Sequence, residues 1–172
     1  MTILCRRTFL ASAGGAALAG SASMARAQAG AQPLLIYADG LKNDWTTIGW
    51  ARVQLESPLG EQKPVQLFMA AWSTFGFQRP TPVAGADFAT LTVVVHGGEQ
   101  GRQGLRVRLK SGNTEHRKYV ELTARAGAWD RFDFSIQRHL GVRDNQSFDT
   151  IEVFNPTGNE LPPWYLNFVL LQ

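Results

Sequence analysis

Four constellations in the sequence have residue types that could do chemistry, and each can be tested against the spacing that its chemistry demands. A serine hydrolase or a zinc protease needs a nucleophile or metal beside a positioned base. His96, His116 and His139 are scattered, and no Gly-x-Ser-x-Gly or His-Glu-x-x-His motif surrounds them. Asp130 and Asp133 are near neighbours, but residues three apart on a strand face opposite sides, so they do not share a proton. Gly97, Gly98, Gly101 and Gly104 could cradle a phosphate only if a helix followed them. No Gly-Lys-Ser/Thr is present, and Leu105 starts a strand-like run instead. Asp39, Asn43 and Asp44 offer oxygen ligands of the kind calcium takes, without EF-hand spacing, and a capped turn is the competing reading. The chain is therefore expected not to be an enzyme, and to need no cofactor apart from a structural calcium ion at Asp39, Asn43 and Asp44.

The elements that would position such residues read as strands throughout. In 91–96 Leu91, Val93 and Val95 share one face and Thr92, Val94 and His96 the other. In 105–110 Leu105, Val107 and Leu109 alternate with Arg106, Arg108 and Lys110. The glycine-rich stretch between these runs predicts a hairpin, central in the fold. Further strands are expected at 34–37, 50–55, 65–71, 74–79, 117–124, 129–137, 148–154 and 164–171, with a proline-containing loop over 80–85. No period of 3.6 is sustained over ten residues. Some nine or ten short strands with Gly/Pro turns predict an all-β, antiparallel β-sandwich of jelly-roll type.

The first residues are expected to be removed. Arg6-Arg7-Thr8-Phe9-Leu10 precedes a mild Ala/Gly-rich apolar run and small-residue cleavage sites, which predicts a twin-arginine-like export signal over 1–29 and a single domain over 30–172. A Sec signal is the alternative, since Cys5 and Ala11 depart from the usual pattern. The apolar run is too short and glycine-rich for a stable membrane span. The chain has 17 Lys and Arg against 14 Asp and Glu, but Arg6, Arg7 and Arg26 fall in the signal and no acid does, so the remainder is formally neutral. That argues against a global footprint for nucleic acid. Cys5 is the chain's single cysteine, so the exported part would have no disulfide and no thiolate chemistry. A periplasmic or secreted location is expected.

Three stretches carry a resemblance: IYADGLKNDW with GWA, FATLTVVVHGG followed by GRQGLRVRL, and the closing WYLNFVLLQ. They resemble galactose-binding-like jelly-roll domains of secreted bacterial proteins, a group that includes many carbohydrate-binding modules. The resemblance implies non-catalytic binding of a carbohydrate or cell-surface polysaccharide, on a sheet face or in the loops of one rim. In such modules the last strand often supplies a carboxylate to a calcium site, whereas this chain has Asn167 there. Sugar recognition needs flat aromatic faces against C–H groups and polar side chains for the hydroxyls. Trp72, Phe75 and Phe77 are the expected platform, with Trp45, Trp50 and Trp129 as further aromatics. Arg79, Arg106, Arg108, Glu121 and Asp133 are the expected polar partners, with Gln78. Arg106, Arg108, Glu121, Asp133 and Glu152 could equally form cross-strand charge pairs on a wet face. A periplasmic protein-interaction or accessory subunit is the alternative function, with a glycan-active enzyme ranked below both.

Overall fold

A computed structural model describes residues 31–172, so the expected signal segment lies outside the described residues. Eleven strands run in order: β1 (Leu34–Ala38), β2 (Thr46–Gly49), β3 (Arg52–Gln54), β4 (Val65–Phe68), β5 (Thr74–Ala84), β6 (Thr90–His96), β7 (Leu105–Ser111), β8 (Thr114–Leu122), β9 (Trp129–Ser135), β10 (Ser147–Phe154) and β11 (Trp164–Leu171). They form two antiparallel sheets. One has six strands in the order β3-β4-β11-β6-β9, with β1 also paired to β11; the other has five, β2-β5-β10-β7-β8. This is the expected all-β jelly-roll sandwich, with one strand more than the nine or ten read from the sequence.

Alternation builds the core. Leu91, Val93 and Val95 of β6 and Val65 and Leu67 of β4 point inward from the six-stranded sheet. They meet Phe75 and Phe77 of β5, Leu105, Val107 and Leu109 of β7, and Ile151 and Val153 of β10. Phe75 and Phe77 pack edge to face, with ring centroids 5.1 Å apart and planes at 80°. Each aliphatic side chain so buried contributes about 1.5–3 kcal/mol. Tyr37 is buried with them, and its hydroxyl donates to Lys63 O (2.9 Å) and accepts from Glu56 N (3.3 Å).

Three expectations are corrected. The runs at 91–96 and 105–110 are strands, but they are not a hairpin: β6 pairs with β11 and β9, whereas β7 lies in the other sheet between β10 and β8. The glycines between them turn a corner between the sheets. A Cβ on Gly97 would lie 2.3 Å from Arg125 O, on Gly98 2.3 Å from Pro163 O, and on Gly101 2.3 Å from Ala126 N. Only glycine permits three backbone segments to meet so closely. The strand expected over 50–55 shortens to β3 (Arg52–Gln54), and a separate β2 (Thr46–Gly49) precedes it in the other sheet. Trp50 N and Ala51 N both donate to Thr74 O (3.1 and 3.0 Å) at the end of β2, and the chain then crosses to the other sheet as β3. Finally, β5 runs through Pro80 and Pro82. They are tolerated because pairing with β10 jumps from Gln78↔Thr150 to Val83↔Phe148, and pairing with β2 stops at Gln78↔Thr46. Neither proline is asked for a ladder hydrogen bond.

Candidate carbohydrate-binding face

The side chains that alternate outward from the five-stranded sheet form two rows with direct cross-strand register. Gly76, Glu152, Arg108 and Tyr119 lie in line on β5, β10, β7 and β8, with Ile48 of β2 beyond Gly76. The next row is Thr74, Phe154, Arg106 and Glu121. Gly76 leaves backbone alone between Ile48 and Glu152. A Cβ there would lie 2.8 Å from Ile151 O and 3.3 Å from Ile48 Cγ1.

Cations and rings interleave across these rows. The Arg106 guanidinium lies 4.1 Å from the Tyr119 ring centroid, and that of Arg108 lies 4.5 Å from the Phe154 centroid. Tyr119 and Phe154 meet edge to face, 6.3 Å apart at 81°. Arg108 Nε donates to Glu152 Oε2 (2.5 Å) and its terminal nitrogen pairs with Glu115 (2.6 Å). Lys110 Nζ lies 3.6 Å from Glu152 Oε1, and Arg106 pairs with Glu121 at 3.3 Å. Glu152 is 4 % exposed, so the carboxylate is a buried anchor for two cations, while Tyr119, 48 % exposed, offers its ring to solvent.

Two indoles stand at the Thr74 end of this face. Trp50 and Trp72 are 72 % and 63 % exposed, the former joined through its backbone to Thr74 O and the latter two residues before Thr74. Trp72 has φ 61°, a conformation that a bulky side chain rarely adopts and that often marks a binding site. Its backbone is fixed by donation to Thr157 O (3.0 Å), and its ring lies beside Gly158. The organiser of this corner is Asn155, which is buried. Its Nδ2 donates to Ala70 O (2.9 Å) and Asn159 O (2.7 Å), while its Oδ1 accepts from Thr157 N and Thr157 Oγ1. One amide thus ties the loop that carries Trp72 to the loop beneath it.

The structure brings together Arg106, Arg108 and Glu121, with Trp72 at their end. It does not bring the others. Phe75 and Phe77 are each 1 % exposed and face the core, because on β5 they alternate with Thr74, Gly76 and Gln78. Arg79 has the same parity and covers the buried Trp45 ring at 5.8 Å. Asp133 stands on the outer side of the opposite sheet, where Thr92 Oγ1 (2.5 Å) and Arg131 donate to it. Trp129 is on that sheet too, against His96 at 5.2 Å. Tyr119 and Phe154 went unassigned in the sequence. Tyr119 could have been found, since it shares the parity of Glu121 in an alternating strand, but Phe154 ends an apolar run that reads as core.

At the turn after β1, Asp39, Asn43 and Asp44 all have positive φ. Asp39 Oδ1 accepts from Lys63 N (2.6 Å), Asn43 Nδ2 donates to Leu35 O (2.7 Å), and Asn167 Oδ1 accepts from Asp39 N (3.3 Å). These are the bonds of a capped turn, and Asp39 has one carboxylate oxygen already engaged. Among the described residues no three His, Cys, Asp or Glu side chains converge.

No protein-family model matches the sequence, and no curated protein matches it. Solved structures do. A variant of a family 29 carbohydrate-binding module, made to probe ligand recognition, superposes with a TM-score of 0.57 at 12 % identity, covering 83 % of this chain and 92 % of that one. The fold is that of these carbohydrate-binding modules. A second variant, complexed with cellulohexaose, gives 0.57 at 12 % identity over the same shares of the two chains. A third, complexed with mannohexaose, gives 0.56 at 12 % identity, covering 82 % of this chain and 91 % of the module.

Two aspartates of β9, on opposite faces of that strand and away from the candidate face, set a pH dependence. Asp130 is held below the ordinary carboxylate range chiefly by the Arg125 side chain, then by Arg125 N. Asp133 is lowered chiefly by the Thr92 hydroxyl, then by Arg131. With folded values below the unfolded one, the unfolded chain binds more protons in between, so this stabilisation is full above about pH 4 and is lost as pH falls through the depressed values. Urea midpoints should decline on acidification below that point, and an Asp130→Asn/Asp133→Asn variant should show a shallower decline. Parallel declines would show that these two carboxylates do not carry the effect.

Proposed function

We propose that this protein binds carbohydrate without cleaving it, on the outward face of its five-stranded sheet. The observation that carries this reading is the interleaving of Tyr119 and Phe154 with Arg106, Arg108 and Glu121 on one open sheet, with Trp50 and Trp72 at its end. A saccharide chain needs such a surface: ring faces for its C–H groups, and charged donors and acceptors for its hydroxyls. The charge pairs among these residues do not compete with that role, because they fix the side chains before a ligand arrives. The sandwich shared with modules whose structures hold mannohexaose and cellulohexaose supports the choice of ligand class.

Non-catalytic action is part of the reading. Each histidine is tied to backbone: Gly98 N donates to His96 Nδ1 (3.0 Å), Ser135 N donates to His139 Nδ1 (3.0 Å), and His116 Nε2 lies 3.1 Å from Ser147 O. Glu152, at the centre of the face, and Glu115, on its β8 edge, both pair with Arg108, so neither is poised to donate a proton to a glycosidic oxygen. Export through the arginine pair at Arg6 and Arg7 would bring the face to polysaccharide outside the cytoplasm, and no described helix is long and apolar enough to cross a membrane.

Retardation in gels containing a mannan or a cellulose derivative, and calorimetry with the neutral hexaoses, tests this. Trp72→Ala should weaken binding by about 2 kcal/mol, roughly 30-fold, as loss of a hot-spot aromatic contact does. Tyr119→Ala should act in the same direction. Wild-type binding that both variants retain in full would remove the assignment of this face.

A further inference from the structure

We infer that a groove at the β8 edge of the sandwich, separate from the aromatic face, takes a carboxylate-bearing sugar. The groove encloses about 520 Å³ between β8 and the chain that joins β9 to β10. Thr114, His116, Arg117 and Lys118 form one wall, and Gln137, Gly141, Arg143 and Gln146 the other.

Strand irregularity creates it. Pairing between β7 and β8 runs from Arg108↔Tyr119 to Lys110↔Glu115, so Leu109 alone stands opposite His116, Arg117 and Lys118. A bulge of this kind re-aims side chains out of the ladder and recurs beside functional sites. The opposite wall is fixed closely against it. Lys118 Nζ donates to Arg138 O (2.9 Å), and its stem lies over Gly141, where an added Cβ would come within 3.1 Å of Lys118 Cγ. Gln146 Oε1 accepts from Arg143 N (2.9 Å), Gln146 N donates to Arg143 O (3.0 Å), and Gln137 Nε2 donates to Asp144.

The lining carries three cations, Arg117, Lys118 and Arg143, against Glu115, with Asp144 held beside the groove by Gln137. Arg117, Lys118 and Arg143 pair with no carboxylate among the described residues, and Arg138 lies on the rim. Glu115, the one acid lining the groove, is drawn to Arg108 at 2.6 Å. Residues 31–172 hold 14 Lys and Arg against 14 Asp and Glu, so this is a local device and not a by-product of overall charge. Two guanidiniums and an ammonium suit an oxyanion. The rest of the lining narrows the class: a threonine hydroxyl and two amides suit hydroxyl groups, no Phe, Tyr or Trp ring is present to stack a nucleobase, the one imidazole, His116, is tied at Nε2 to Ser147 O (3.1 Å), and no apolar patch is present for a lipid. A uronic acid unit combines a carboxylate with flanking hydroxyls in this way. The choice of a sugar rests on the proposed carbohydrate function, whereas the anion site rests on the groove alone.

The test uses the purified full chain and calorimetry with trigalacturonate, mannohexaose and inorganic phosphate at low and high salt. Trigalacturonate should bind, weaken tenfold or more in Arg117→Ala/Arg143→Ala, and weaken steeply with salt. Mannohexaose affinity should be unchanged in that variant, and Trp72→Ala should leave trigalacturonate affinity unchanged. Arg117→Lys/Arg143→Lys, which keeps the charge but loses the bidentate fork, should fall between wild type and the alanine variant. Absence of trigalacturonate binding, binding that survives in the alanine variant, or binding lost in Trp72→Ala overturns the groove. Inorganic phosphate bound as tightly as trigalacturonate overturns the sugar. If mannohexaose fails while trigalacturonate binds through Arg117 and Arg143, the aromatic-face reading falls and the groove stands.

Discussion

Glu152→Ala is expected to destabilise the protein by about 3 kcal/mol, at the lower end of what breaking a buried ion pair costs. Glu152 is the central side chain of the five-stranded sheet's outer face, 4 % exposed, and it serves both Arg108 and Lys110. Removing it leaves two cations whose side chains are only 19 % exposed. Arg108 retains Glu115, which moderates the loss; Lys110 retains no carboxylate among the described residues. Urea denaturation followed by tryptophan fluorescence reads the change directly. The double variant Arg108→Met/Glu152→Leu removes the charge of the closest pair at similar volume and should recover part of the stability, since replacing a buried pair with apolar groups is often close to neutral, while Lys110 still lacks its carboxylate. Its binding of neutral hexaoses should not recover. A Glu152→Ala protein as stable as wild type would mean that Glu152 is not the anchor of this network.

Phe77→Ala is expected to cost about 3–5 kcal/mol, a large part of the stability of a domain this size. Phe77 is 1 % exposed, packs edge to face on Phe75, and meets the Tyr37 ring at 5.9 Å. The surrounding strands are tied into ladders and cannot collapse fully into the space, so a cavity term adds to the lost transfer energy. The denaturation midpoint should fall with little change in slope. Whatever fraction stays folded should bind sugar with wild-type affinity. Lower affinity in a folded Phe77→Ala protein would return this ring to the ligand.

The sandwich was legible in the sequence because period-two alternation is local: 105–110 announces β7, and 164–171 matches β11 residue for residue. What alternation does not carry is the identity of the partner strand. The runs flanking Gly97 to Gly104 resemble a hairpin in one dimension, and only close backbone contacts with 125–126 and 163 reveal that the chain is changing sheets. The same limit applies to the candidate face. Arg106, Arg108 and Glu121 are legible from parity on paired strands, whereas Phe75 and Phe77 have the ring type of a sugar platform but the parity of the core. On β5 the outward positions fall to Thr74, Gly76 and Gln78. Asn155 could not be singled out at all, since its four hydrogen bonds reach residues from 70 to 159 that come together only in the fold.

The corner turned by the glycines also bears on kinetics. Strands adjacent in sequence, β6 and β7, become neighbours of strands far along the chain: β11 for the one, β10 for the other. Each pairing must close a long loop, an entropic cost borne before the contacts reward it. The molecule should therefore assemble on the slow scale of sandwiches, about milliseconds to seconds. Apolar strands such as β6 would stay uncovered during that interval, which makes the speed of assembly, more than the final stability, the point at which misassociation competes.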